Sequence, residues 1–303
     1  MLRARVANAR FQRFLIFFRH FLNSISLQLI NIIESYRISA SPDTLFFCRK
    51  SIHSYYIPVI LLMTRINHKT SEPTIREMTT SSLQRVLEEE LMDTAEEAIG
   101  YDAMDHSVVN ARFVADFLAE HGSSRGGWYI DIGTGTALIP LILATADRSA
   151  HIKALDAASH MLALARNHVE KAGLSSQIEL VLHDAKKVPF PDGSFEAVIS
   201  NSIVHHIPSP EIAIIEMVRL VAPGGTLFVR DLARPVDQAR LDSIVNRYAA
   251  DAPAIARAMF ADSLHAALTT TEVADILEKA GLPRTAVAIT SDRHWTIIWQ
   301  RPF

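Results

Sequence analysis

From Leu83 onward the apolar positions fall into two rhythms. Leu83, Val86, Leu87 and Leu91 recur at helical spacing, as do Val108, Phe113, Val114, Phe117 and Leu118, and they predict two helices. The stretch His121 to Gly127, rich in glycine and serine, breaks the pattern. Short apolar runs then predict strands near 128–132, 152–156, 178–182, 196–200 and 225–230, alternating with helices near 137–146, 159–172 and 210–221. Such alternation builds βαβ units, and right-handed crossovers put helices on both faces of the sheet. Val236 to Phe260 and Thr271 to Ala280 read as further helices, the second terminated by Gly281 and Pro283. Alternating residues in Thr285–Ile289 and Trp295–Trp299 predict a closing hairpin. The expected fold is α/β: a doubly wound, mostly parallel seven-stranded sheet with an antiparallel terminal strand.

The first part of the chain has a different character. Residues 1–62 hold eight Lys or Arg against two acids, whereas the rest of the chain is acidic enough to bring the total to −3. Arginines mix with Phe and Leu up to Ile33, the composition of a basic amphipathic helix for an anionic membrane surface or for targeting. A packed accessory helix is a second reading. A third is an over-extended reading frame that truly starts at Met63 or Met78, because the composition changes sharply there. No uninterrupted apolar run reaches the roughly 18 to 20 residues that span a bilayer. The expected organisation is a basic apolar extension over 1–62, a flexible polar segment over 63–82, an N-terminal helical cap over 83–125 and a cofactor-binding domain over 126–303.

Composition narrows the chemistry. The acidic remainder is a poor match to nucleic acid, so the expected partner is a small molecule, with peripheral membrane contact only through residues 1–62. One cysteine, Cys48, leaves a reducing compartment, the cytoplasm, as the expected location. No HExxH or comparable spacing appears among the histidines, and no metal site is expected.

The chemistry centres on YIDIGTGT, residues 129–136, a glycine turn between a strand and a helix. In a doubly wound sheet this turn lies beside the switch point where ligands bind. A dinucleotide fingerprint would carry a third glycine at position 138, where this chain has Leu138. Asp131, two residues before Gly133, suits a cationic amino or sulfonium group better than a pyrophosphate. The second strand ends in Asp156, which could accept ribose hydroxyls, and the third is followed by Asp184 and Ala185, which could meet an adenine.

In their order and separations, DIGTG at 131–135, Asp156, HDA at 183–185, PFPDGSFEAVISNSIVHHI at 189–207 and RLVAPGGTLFVRD at 219–231 resemble the class I S-adenosylmethionine-dependent methyltransferases. The likeness is to the branch of quinone-biosynthesis and related small-molecule enzymes, over about residues 100 to 303. It implies the Rossmann-like methyltransferase fold, S-adenosylmethionine as cofactor and S-adenosylhomocysteine as product. It implies that Asp131, Gly133 and Gly135 surround the methionine moiety, that Asp156 and Ala157 meet the ribose and adenine, and that Asp184 and Ala185 recognise the adenine. Asn201 would stand where cofactor and acceptor meet, with Tyr101 as a lid from the upstream helices.

Methyl transfer from a sulfonium is driven largely by alignment and exclusion of water, and a base is required only for a neutral hydroxyl or amine. His205 and His206, after the fourth strand, are the candidates, with His205 preferred. Arg230, Asp231 and Arg234 read either as an anion clamp or as a self-satisfied ion network. Asp262 and His265 are further cleft candidates, and Arg293, His294 and Trp295 read as a surface turn. No motif fixes the acceptor or the methylated atom. The rival readings are a non-catalytic S-adenosylmethionine-binding scaffold and a dinucleotide-dependent oxidoreductase.

Overall fold

The computed structural model describes residues 83–88, 93–122 and 125–303, within a compact unit that runs from Glu77 to Phe303. The expected basic extension and flexible segment lie outside the described residues. Helices α1 (Ala95–Asp102) and α2 (Ser107–His121) precede β1 (Gly127–Ile132), α3 (Leu138–Ala146), β2 (Ala150–Asp156), α4 (Ser159–Lys171) and β3 (Ile178–Leu182). The second half runs β4 (Phe195–Asn201), α5 (Pro210–Leu220), β5 (Val221–Leu232), α6 (Gln238–Tyr248), α7 (Ala254–Ala266), α8 (Thr270–Lys279), β6 (Val287–Ile289) and β7 (His294–Gln300).

The seven strands form one sheet in the order β3-β2-β1-β4-β5-β7-β6. Pairs among β1 to β5 are parallel, and β7 runs antiparallel to both neighbours. The antiparallel strand is thus the last in sequence but sits inside the sheet, with three-residue β6 at the edge. Strand order reverses between β2 and β4 on either side of β1, which creates the switch point.

Two-residue periodicity divides the strand side chains between two cores. Ile130, Ile132, Val198, Leu227 and Val229 face the side covered by α5 and α8. Tyr129, Ile152, Ala197, Ile199 and Phe228 face α2, α3 and α4. Fully burying each large side chain contributes about 1.5 to 3 kcal/mol, so the near-continuous apolar strands hold the layers together.

Three expectations are corrected. Residues 83–88 form no helix: the Leu83 and Val86 N–H groups donate to the carbonyls of Val236 and His265, and Arg85 reaches the carbonyls of Ala266, His205 and Ile207. Those tertiary bonds replace the helical ladder, and Val86 and Leu87 are left exposed. The helix expected over 236–260 is broken at 249–253, where Pro253 starts α7. Trp295, read as part of a surface turn, is fully buried, because β7 is an interior strand.

Candidate active site

The turn after β1 is fastened to the end of β2. Gly133 and Thr134 donate their N–H groups to the Leu155 carbonyl at 2.8 and 2.9 Å, and the Gly135 N–H donates to Asp156 Oδ2 at 2.7 Å. Both glycines are left-handed, with φ of +77° at Gly133 and +55° at Gly135. A Cβ on Gly133 would stand 2.2 Å from the Ile203 side chain, so packing as well as conformation demands glycine. The turn forms one wall of a cavity of about 360 Å³ that also meets Asp156, Ala157, Asp184 and Ala185. The strand ends thus bring together most of the residues expected to hold a nucleoside.

Their roles in the wall differ. Asp156 accepts from Gly135 and, through Oδ1, from the Ala158 N–H at 2.8 Å at the start of α4. It therefore fixes two backbone segments while facing the cavity, and burial raises its carboxyl above the ordinary range. Ala185 is buried, whereas Asp184 is half exposed in a turn closed by the Lys186 N–H at 2.8 Å. Asp131 lies behind the glycine turn, not on the cavity wall, at 1% exposure. Its Oδ2 accepts from the Thr134 hydroxyl at 2.7 Å, but its buried Oδ1 has no hydrogen-bond partner. Burial pushes its carboxyl up to about 7.

A second cavity of about 880 Å³ adjoins the first, and the two share Tyr101, Asn201, Ser202 and His206. Tyr101 reaches this junction from α1, stacked on His106 at 4.6 Å. Ser202 has φ +60°, a strained conformation at the place where the cavities meet, and nothing in the sequence singled it out. The larger cavity carries Met104, Val108, Val109 and Met259 among its exposed apolar residues, with Arg112, Arg230 and Arg293 as its cations.

His205 and His206 occupy a 3₁₀ turn, Val204–His206, that Asp231 organises. Asp231 is buried, accepts the N–H groups of Val204 at 2.5 Å and His205 at 3.3 Å, and pairs with His205 Nδ1 at 2.5 Å. That contact assigns the Nδ1 proton and leaves Nε2 directed at Glu88 Oε1, 3.5 Å away. Burial works against a charged His205, but Asp231, with Glu88 beyond it, outweighs the burial and moves its pKa upward. The histidines face one another at 4.2 Å, and His206 Nδ1 lies 3.1 Å from the same Glu88 oxygen. The expectation of no metal set rested on linear spacing, whereas folding gathers Glu88, His205 and His206 from distant parts of the chain.

The remaining candidates divide. Arg230 lines the larger cavity but is engaged by Asp116 at 3.0 Å and Thr296 at 3.0 Å, and Arg234 pairs with Glu272 at 2.6 Å away from both cavities. The ion-network reading therefore fits them better than the clamp. Asp262 and His265 reach neither cavity; Phe260 and Ser263 of the same helix line the larger one. Arg293 and His294 line it too, against the expectation of a surface turn, because the end of β7 faces the cleft.

Residues 130–229 match the family described as a methyltransferase domain. The chain is 35% identical over 112 residues to a phosphatidylethanolamine N-methyltransferase of Cereibacter sphaeroides, covering 37% of this chain and 53% of the relative. It is 36% identical over 124 residues to a demethylmenaquinone methyltransferase of Thermus thermophilus, covering 41% and 54% respectively. It thus spans about half the length of these curated relatives. In fold, a crystal structure described as a putative S-adenosyl-L-methionine-dependent methyltransferase from Methanococcus maripaludis superimposes with a TM-score of 0.55 at 19% identity, over 72% of this chain and 97% of that one. The sheet order and the glycine turn define a Rossmann-like methyltransferase domain. Residues 130–229 thus match a methyltransferase domain, and the chain is similar over that region to curated methyltransferases, among them a quinone-biosynthesis enzyme.

Proposed function

We propose that this protein transfers the methyl group of S-adenosylmethionine to a small-molecule acceptor. The observation that carries the reading is the junction of two cavities at Tyr101, Asn201, Ser202 and His206: one cavity has the dimensions and acids for a nucleoside, and the other is open to an acceptor. Asp156 and Ala157 meet the ribose side, Asp184 and Ala185 the adenine, and Gly133 and Gly135 let the methionine portion approach the backbone. Asp131, with a buried oxygen lacking a protein partner, supplies negative charge beneath the cationic end of the cofactor. Tyr101 closes the site from helix α1.

The bond to be made joins the acceptor atom to the methyl carbon as the methyl–sulfur bond breaks, and S-adenosylhomocysteine leaves neutral at sulfur. This chain aligns the partners and excludes water. Where the acceptor must lose a proton, His205 receives it at Nε2, held in its tautomer by Asp231, with His206 beside the cofactor. The apolar rim of Met104, Val108, Val109 and Met259 suits an acceptor with an apolar portion. The names of the two curated relatives, a phospholipid and a quinone enzyme, agree with such an acceptor. We place the activity in the cytoplasm on the reducing environment a single cysteine suggests; among the described residues no helix is long and apolar enough to cross a membrane.

Calorimetric titration with S-adenosylmethionine, S-adenosylhomocysteine and NADH tests the reading. Micromolar binding of the first two and none of NADH is expected. A folded protein that binds no nucleoside sinks it, and tight binding without transfer to a broad acceptor panel would favour the scaffold reading instead.

A further inference from the structure

We infer that Glu88, His205 and His206 form a binding site for one divalent transition-metal ion of the zinc class at the acceptor end of the cleft. The inference deepens the proposed function by naming a cation site beside the transferred methyl group, and its acceptor-side role rests on that reading. The ligand atoms of the three side chains lie within 4.8 Å of one another. Glu88 Oε1 stands 3.5 Å from His205 Nε2 and 3.1 Å from His206 Nδ1. Ligands held about 2.0 to 2.1 Å from a tetrahedral zinc are separated by about 3.3 Å, so both spacings already fit the edges of such a polyhedron.

Two further observations separate this cluster from a chance meeting of side chains. His205 makes a 2.5 Å contact to Asp231 through Nδ1, and Asp231 is itself fixed by backbone N–H groups. A carboxylate on the far nitrogen is the support that metal-binding imidazoles ordinarily receive, and it turns the Nε2 lone pair toward Glu88. Glu88 Oε1 is buried without a hydrogen bond, although Oε2 accepts from the Ser263 hydroxyl at 3.2 Å. Its carboxylate is thus oriented with Oε1 turned toward both imidazoles, where a cation would replace the direct contacts.

The donor set, two imidazoles and one carboxylate, is the set of catalytic zinc sites, which keep a fourth position open. Both histidines line the larger cavity, so that position opens toward the acceptor. A cation there would orient an acceptor oxygen and draw negative charge onto it, a task that otherwise falls to a proton-accepting His205.

The test is zinc binding by the full chain after chelator treatment, read by competition with a chromophoric chelator, in wild type, Glu88→Gln, His206→Ala and a control, His151→Ala, whose exposed ring lies against Trp128 away from both cavities. One site is expected in wild type and in the control, weakened at least tenfold in each of the other two. Wild type, Glu88→Gln and the control should bind S-adenosylhomocysteine within about threefold of one another; His206 lines the cofactor cavity, so the folding of its variant is certified by circular dichroism and a cooperative melt. Equal zinc affinity in all four, or no zinc binding by a wild type that binds S-adenosylhomocysteine, overturns the metal site and leaves the methyltransferase reading intact. Failure to bind the nucleoside strikes that reading instead, whatever the zinc result.

Discussion

Asp156 carries two loads on one carboxylate. It fixes the glycine turn through Gly135 and the start of α4 through Ala158, and it faces the cofactor cavity. Hydrogen bonds to a charged group are worth about 1.5 to 3 kcal/mol each, so Asp156→Ala should weaken S-adenosylhomocysteine binding by at least tenfold to a hundredfold in calorimetry. Retained affinity would mean that the backbone alone recognises the nucleoside. His205 belongs to the acceptor side, and its replacement should separate binding from turnover. His205→Ala is expected to lower turnover tenfold or more with cofactor affinity changed by less than threefold, measured once an acceptor is found. Unchanged turnover would remove it from the reaction whether it acts as a base or as a ligand. Ser202 and Glu88 escaped the sequence reading for a shared reason: backbone strain and long-range convergence leave no local pattern, whereas Asp131, Asp156 and Asp184 stand at strand ends that periodicity reveals.

At the level of elements, the lid is the part whose attachment can be tested. Helix α1 starts with a capping box between Thr94 and Glu97 and places Tyr101 at the junction of the cavities. Two histidine–carboxylate contacts fasten it to α4: Asp93 with His160 at 3.0 Å, and Asp102 with His168 at 2.8 Å. Ala98 packs between them against Ala158 and Met161, beside the cofactor cavity. Asp102→Ala removes one fastening and leaves the cavity wall intact. A net loss of about 0.5 to 1.5 kcal/mol should speed S-adenosylhomocysteine dissociation by about twofold to tenfold in stopped-flow measurements. An unchanged off-rate would show that α1 does not gate the cofactor. Strands β1, β2, β4 and β5 were legible because each is an apolar run with a partner on both sides, and edge strand β3 because its short run Ile178–Leu182 follows a helix at the βαβ spacing. The non-helical segment 83–88 was not, since Leu83, Val86 and Leu87 fit a helical stripe and only the carbonyls of Val236 and His265 decide otherwise. The break before α7 was announced by Pro253, a signal outweighed by the long apolar pattern around it.

For the whole molecule, cofactor binding should appear as stability. A ligand at a hundred times its dissociation constant stabilises the folded state by about 2.7 kcal/mol. A domain of this size gains about 2 to 4 °C per kcal/mol, so S-adenosylhomocysteine should raise the melting temperature by about 5 to 10 °C. The size of that rise should depend on pH through Asp131, whose carboxyl burial pushes up to about 7. Without ligand, the folded state holds the Asp131 proton more tightly than the unfolded chain does. The stability this group contributes is therefore complete below about pH 4 and lost as pH rises through about 7. The cofactor's cationic end favours the ionised carboxylate, so binding must first remove that proton below pH 7, at up to about tenfold in affinity per pH unit. The same ligand concentration should thus give a larger melting shift at pH 7.5 than at pH 6, and Asp131→Asn should flatten the difference while weakening binding at the higher pH. Equal shifts at both pH values in wild type would mean that Asp131 shapes the glycine turn through Thr134 without meeting the charge of the cofactor.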